Sequence, residues 1–167
     1  MGQATSIEWT DATWNPVHGC SKVSPGCAHC YAETLSLRFG HTLRPWLPAH
    51  ADVNVQLKPE RLHQPLQWRY PRMVFVNSMS DLFHEKVPDS FIDSVFETMA
   101  QATRHTFQIL TKRPDRMREY IYSSTWSEPL PKAFGSGFRL RIVAMWAELT
   151  YCETRQQLSV LSVQSRS

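Results

Sequence analysis

Cys20, Cys27 and Cys30 lie within eleven residues of one another and are spaced C-x6-C-x2-C. Cys27 and Cys30 can grip one centre from a tight turn, and Pro25 with Gly26 can swing the chain so that Cys20 returns to the same point. Gly19 and Gly26 permit positive φ and close backbone approach. Three thiolates leave a tetrahedral zinc one ligand short, which His18 or His29 could supply. They leave a four-iron cluster with one iron not held by the protein and open to a cofactor. A third reading, buried and inert cysteines, is disfavoured by the clustering and by the C-x2-C pair.

Composition narrows the setting. The 167 residues suit one domain, and a 42% apolar, 20% charged chain is ordinary for a globular protein. No run approaches the apolar length of a membrane span, and the N-terminus lacks the basic-then-apolar order of a secretory signal. A cytoplasmic location is expected, where cysteines stay reduced and clustering favours metal over disulfide. The net charge of +3 is uneven: residues 1–132 carry fourteen Lys/Arg against thirteen Asp/Glu, and residues 133–167 four against two. Nucleic acid as a partner is thus possible but unsupported by charge.

The elements that must position the cysteines follow from periodicity. A short strand is predicted near Ser6–Trp9, then a long structured loop. Tyr31, Leu35 and Phe39 recur at helical spacing, with Gly40 as the stop. A short strand is predicted over Val53–Leu57, and a helix from Pro59 towards Trp68 that Pro65 disturbs. Met73–Val76 is the clearest strand. Asp89 is expected to cap a helix from Ser90 to about Ala102, with Ile92, Val95, Phe96 and Met99 buried. Thr106–Leu110 reads as a strand and Pro114 to Tyr122 as a helix. Repeated strand–loop–helix order predicts a parallel sheet with chemistry at the carboxyl ends of its strands. The cysteine loop, Asn77–Asp81 and Thr111–Arg113 fall there.

Side-chain roles follow from type. Lys112 and Arg113 could meet a carboxylate or phosphate, though a solvated loop pair explains them more simply. His84 reads as a surface or packing histidine. Trp9, Trp14 and Tyr31 bracket the cysteine loop and could shield a centre from water or simply pack it. Asp11 and Asn15 are expected to tie the loop by local hydrogen bonds.

Three blocks carry a resemblance. They are the stretch from Trp9 to Glu33 around the cysteines, Val74 to His84, and His105 to Met117. In this order they resemble the phage Gp thirty-seven/sixty-eight family, a domain of unknown function, over roughly residues 5–131. That family resembles a divergent branch of the radical S-adenosylmethionine enzymes, although the spacing here departs from the usual C-x3-C-x2-C. The resemblance implies a 4Fe–4S cluster on Cys20, Cys27 and Cys30, with S-adenosylmethionine on its open iron. It implies that Asn77, Ser78, Ser80 and Asp81 receive the cofactor's amino group. An Asx or Ser turn closing the strand is an equal reading of that loop. The implied fold is an α/β, incomplete (partial) β/α barrel-like parallel sheet of about three strand–helix units, with a poorly ordered C-terminal tail. A zinc-binding structural or nucleic-acid-associated phage-type module is the alternative.

The tail differs from the body. All eleven prolines and seven histidines precede residue 132. Back-translated out of frame from Phe134, degenerate codons permit Trp-Leu-Gly-Val-Ser-Val and a later Thr-Pro-terminated helical stretch that also resemble the family. Residues 1–132 are therefore expected to form a truncated domain and 133–167 a non-native, frameshifted tail. The substrate is unknown, and catalysis by this shortened chain is expected to be weak or absent.

Overall fold

Four short parallel strands that each bury one face set the architecture. The computed structural model describes residues 5, 7–123, 139–144 and 159–164. Its strands are β1 (Ala12–Trp14), β2 (Val17–His18), β3 (Gln56–Leu57), β4 (Met73–Val76), β5 (Thr106–Thr111), β6 (Arg139–Ala144) and β7 (Ser159–Gln164). Its α-helices are α1 (Tyr31–Arg38), α2 (Ala51–Asn54), α3 (Asp89–Gln101) and α4 (Pro114–Ser123). The main sheet runs β1-β4-β5-β6-β7, with the first four strands parallel and β7 antiparallel. β2 and β3 form a separate antiparallel pair.

Register explains the core. Ala12, Val74, Phe107 and Leu140 lie side by side across the sheet, as do Trp14, Val76, Ile109 and Ile142. All eight are buried and share one core with the α3 stripe of Ile92, Val95, Phe96 and Met99. Fully burying a residue such as Phe107 contributes roughly 1.5–3 kcal/mol. Trp14 is enclosed in this core, and its Nε1 donates to the Arg61 carbonyl at 2.8 Å. The opposite face carries the row Thr13, Phe75, Gln108 and Arg141, where Trp9 covers Phe75 with ring centroids 4.7 Å apart.

Several expected elements shift. The first strand is Ala12–Trp14 rather than the stretch near Ser6–Trp9; Ser6 lies outside the described residues, and Glu8 and Trp9 form a turn. Pairing decides this. Asp11 exchanges bonds with Met73 through its backbone and carboxylate, and Thr10 Oγ1 donates to the Met73 carbonyl. Val53 belongs to α2, leaving only Gln56 and Leu57 as strand. The helix expected from Pro59 is two 3-10 turns, Pro59–Arg61 and Gln64–Gln67. The second has Pro65 in its first turn, which an α-helix would not tolerate mid-run. Helix α3 begins one residue early. Asp89 sits in its first turn, where it pairs with Arg116, and does not cap it.

Helix α1 turns a different face inward from the one expected. Its buried residues are Ala32, Glu33 and Ser36, while Tyr31 and Phe39 are exposed. Glu33 decides the rotation, because its carboxylate accepts from the Trp46 backbone and pairs with Lys22, both at 2.8 Å. Gly40 ends the helix as expected. At φ 68° it lets its own N–H reach the Leu37 carbonyl and that of His41 reach Ser36, the two bonds of a Schellman cap.

The sheet is therefore mixed α/β, with three strand–helix units and a fourth parallel strand. That fourth strand, β6, lies within the segment read as a non-native, poorly ordered tail; residues 124–138 and 145–158 lie outside the described residues.

Candidate functional site

Three loops leave the carboxyl ends of β1, β4 and β5 side by side. The first two are zipped together. Asn77 N donates to the Trp14 carbonyl and Gly19 N to the Met79 carbonyl. Asn15 Oδ1 accepts from Ser78 Oγ at 3.1 Å and from Met79 N at 3.0 Å, and Ser80 Oγ donates to the Val17 carbonyl at 2.8 Å. Asp11 and Asn15 thus make bonds across more than sixty residues, not the local ties expected of them. Asn77 is held at φ 58°, a conformation that asparagine tolerates better than most residues.

Gly19 starts the cysteine loop at φ 77°, and a Cβ there would stand 2.0 Å from the Asn54 carbonyl oxygen. The backbone approach expected of this glycine is therefore real. Gly26 differs: it sits in a 3-10 turn, Pro25–Cys27, and a Cβ would meet nothing closer than 3.6 Å. Its carbonyl accepts from Lys112 Nζ at 2.7 Å, which ties the loop to the end of β5.

The Asn77–Asp81 loop reaches the same place. Asp81 is buried and its carboxylate is fully engaged. Oδ1 accepts from Phe83 N and Thr111 Oγ1, and Oδ2 from Lys112 N and Arg113 Nη1. Arg113 is buried too, so the solvated-loop reading of it fails. Its Nη1 also points at Cys20 Sγ at 3.4 Å, its Nη2 at the carbonyl and hydroxyl of Ser21, and its Nε at Glu85. His84 is wholly buried rather than at the surface. Its Nδ1 accepts from Lys86 N, so Nε2 carries the proton towards Ser21 Oγ at 2.9 Å. Burial, then the neighbouring Arg113 charge, lowers its pKa to about 4.

The thiols differ from one another. Burial pushes Cys20 up to about 11 in spite of the Arg113 charge beside it. For Cys27 burial is again the largest influence, but hydrogen bonds from Val23 and Ser24 and the charge of Lys112 outweigh it and hold the thiol below its usual value. All three cysteines are free.

All seven side chains singled out in the sequence line one cavity of about 470 Å³: the three cysteines together with Asn77, Ser78, Ser80 and Asp81. Lys112, Arg113, His29, Trp9 and Tyr31 line it as well, whereas Trp14 lies in the core and His18 is elsewhere. His18 accepts from Arg61 at 2.7 Å, and burial followed by the Arg61 charge lowers its pKa to about 4. Among the described residues no three His, Cys, Asp or Glu side chains already stand together as a metal-holding group. Gathering the sulfurs requires the Gly19–Cys30 loop to move. Asn77 supplies the polar feature the sequence did not disclose. Its Oδ1 accepts from Val17 N, which fixes Nδ2 as a donor, and that buried Nδ2 has no partner. Ser21 and Glu85 were also missed, because each acts through residues far away in sequence.

Residues 4–157 match the family described as protein of unknown function (DUF5131). The chain belongs to this family. No curated protein and no solved structure matches it. Among the described residues no helix of this DUF5131 member is long and apolar enough to cross a membrane.

Proposed function

We propose that the cavity holds a 4Fe–4S cluster on Cys20, Cys27 and Cys30, with S-adenosylmethionine beside it. The chain is then a radical S-adenosylmethionine-like protein of the phage Gp thirty-seven/sixty-eight kind, acting on an unknown substrate. The observation that carries this reading is convergence: three cysteines and the Asn77–Asp81 loop, far apart in sequence, line one cavity at the carboxyl ends of parallel strands. Chemistry in parallel α/β sheets concentrates at those ends.

The donor set fits. Three sulfurs, with no fourth thiolate among the described residues, suit a cluster that keeps one iron for a cofactor. Asn77 lines the cavity, and its buried Nδ2 has no partner; as a donor it cannot receive the cofactor's amino group as expected, and a shift of the loop that uncovered it would match an oxygen acceptor such as the cofactor's carboxylate. Ser78 and Ser80 spend their hydrogens on Asn15 and Val17, leaving hydroxyl lone pairs to meet an ammonium. Asp81 contributes its negative charge, while its lone pairs hold Thr111, Lys112 and Arg113 in place. Trp9 and Tyr31, both partly exposed, give the cavity wall aromatic surface that a bound cofactor would cover. A cluster held by Cys20, Cys27 and Cys30 would supply, once charged by an external one-electron reductant, the electron that breaks a C–S bond of S-adenosylmethionine into methionine and a carbon radical able to take hydrogen from a substrate.

The tail belongs to the same reading. A frameshift is the proposed origin of residues 133–167, even though β6 within them joins the sheet and buries Leu140 and Ile142, and with it goes the proposal that this chain binds the cofactor but cleaves it poorly. The nucleotide sequence tests that directly, as codons that do not spell the alternative peptide defeat it.

A second reading rests on His29, which lines the cavity with the cysteines. A Cys3His zinc site would use it in place of His18, whose Nε2 is taken by Arg61. Anaerobic reconstitution followed by equilibrium dialysis with S-adenosylmethionine separates the two. The cluster reading expects an iron-loaded protein that retains the cofactor, with Asn77→Ala weakening retention about tenfold, the loss of one hydrogen bond to a charged group. An iron-loaded protein that retains none, or a colourless protein with one tight zinc, contradicts it.

A further inference from the structure

A guanidinium is rarely buried without a reason, and Arg113 is 8% exposed. Asp81 and Glu85 supply opposite charge at 3.4 and 3.1 Å. Yet both terminal nitrogens also turn towards the same corner of the cysteine loop. Nη1 donates to Cys20 Sγ at 3.4 Å, and Nη2 to the Ser21 carbonyl and hydroxyl at 3.0 and 3.2 Å. Of the three cysteines, Cys20 comes first in the chain, is separated from the other two by a six-residue spacer, and is the one whose sulfur Arg113 holds. A neutral thiol is a weak acceptor and a poor match for a buried cation. A metal-bound thiolate is a strong match.

We propose that Arg113 is a positioning residue for the cysteine-held centre: it steadies Cys20 Sγ and raises the centre's reduction potential. This rests on the cluster reading of the cavity. One electron entering the centre adds one negative charge, and a fixed cation with an N–H directed at a ligand sulfur favours that state. No bond to Arg113 forms or breaks. In the test, dithionite supplies the electron and is oxidised to sulfite. Lys112, the next residue back, serves the other limb of the loop through its bond to the Gly26 carbonyl.

The experiment is an anaerobic potential titration of the reconstituted full chain, followed by electron paramagnetic resonance, in wild type, Arg113→Gln and Arg113→Lys. Iron and sulfide are assayed in each. Arg113→Gln is expected to lower the reduced-to-oxidised ratio at fixed potential about tenfold, ~59 mV for one electron. Arg113→Lys keeps the charge but loses the two-nitrogen fork, so a smaller shift in the same direction is expected. A merely structural arginine would alter cluster yield and leave the midpoint in place. An unchanged midpoint in whichever variant retains its full iron overturns the inference. If the wild type takes up no iron and sulfide, the cluster reading fails and this inference with it. Wild-type uptake with equal midpoints defeats this inference alone.

Discussion

On the helix-covered face of the sheet, Trp14, Val76, Ile109 and Ile142 lie in one register row, each at most 1% exposed. At the carboxyl ends of β1, β4 and β5, Asn15, Asn77, Asp81 and Thr111 are also buried but are held by directed hydrogen bonds. The first region tolerates any side chain of suitable volume and low polarity. The second needs each partner, because one lost acceptor strands a buried donor. Stability is concentrated in the first region and specificity in the second. Among the described residues, Asn77, which lines the cavity, is where the second leaves a buried donor, Nδ2, unpaired.

Breaking the apolar region should have the largest effect. Trp14→Ala removes a wholly buried ring together with its bond to Arg61, and should cost about 3–5 kcal/mol, read as a fall in the urea midpoint. Breaking the polar region at its hub comes next. Asp81→Ala leaves Arg113 short of its buried counter-charge and Thr111 without an acceptor, with an expected cost of about 3 kcal/mol. Asp81→Asn should recover part of that by restoring an acceptor. A cost below that of an ordinary surface substitution would show that Glu85 alone suffices for Arg113.

Gly19→Ala sharpens the contrast. It forces a side chain into positive φ and against the Asn54 carbonyl, and should cost about 1–3 kcal/mol, whereas Gly26→Ala should be close to neutral. Acid gives the smallest effect. His84 folds with its pKa lowered to about 4, so between its ordinary value of 6.5 and about 4 the unfolded chain takes up a proton that the folded chain refuses. Its contribution is therefore complete above pH 6.5 and is lost as pH falls towards 4. A melting-temperature profile should show that loss, and His84→Gln should shrink it, leaving the share that His18, also lowered to about 4, contributes over the same window.

The apolar region was legible in the sequence and the polar one only in outline. Met73–Val76 and the α3 stripe are local patterns, readable from period and bounding residues. Helix α1 was misread because Glu33, a charged residue, is what it buries, held there by Lys22 and Trp46 from neighbouring loops. Arg113 carried no sign of burial, and the choice between surface and packing was open for His84, since each is placed by partners up to ninety-three residues away. The three loops could be expected at one end of the sheet from the strand–helix order alone. Which atoms would remain unpaired there depends on the Asn77 backbone angle and the pairing with Val17, which no local pattern encodes.

Metal and sulfide content of the anaerobically reconstituted chain tests the central claim most directly, measured beside single Cys20→Ala, Cys27→Ala and Cys30→Ala variants. A cluster seated on these thiolates predicts a brown wild type with broad absorbance near ~400 nm, iron and acid-labile sulfide in equal amounts, and sharp loss of both in every variant. Wild-type protein that stays colourless, or variants that keep the full complement of iron and sulfide, would contradict it.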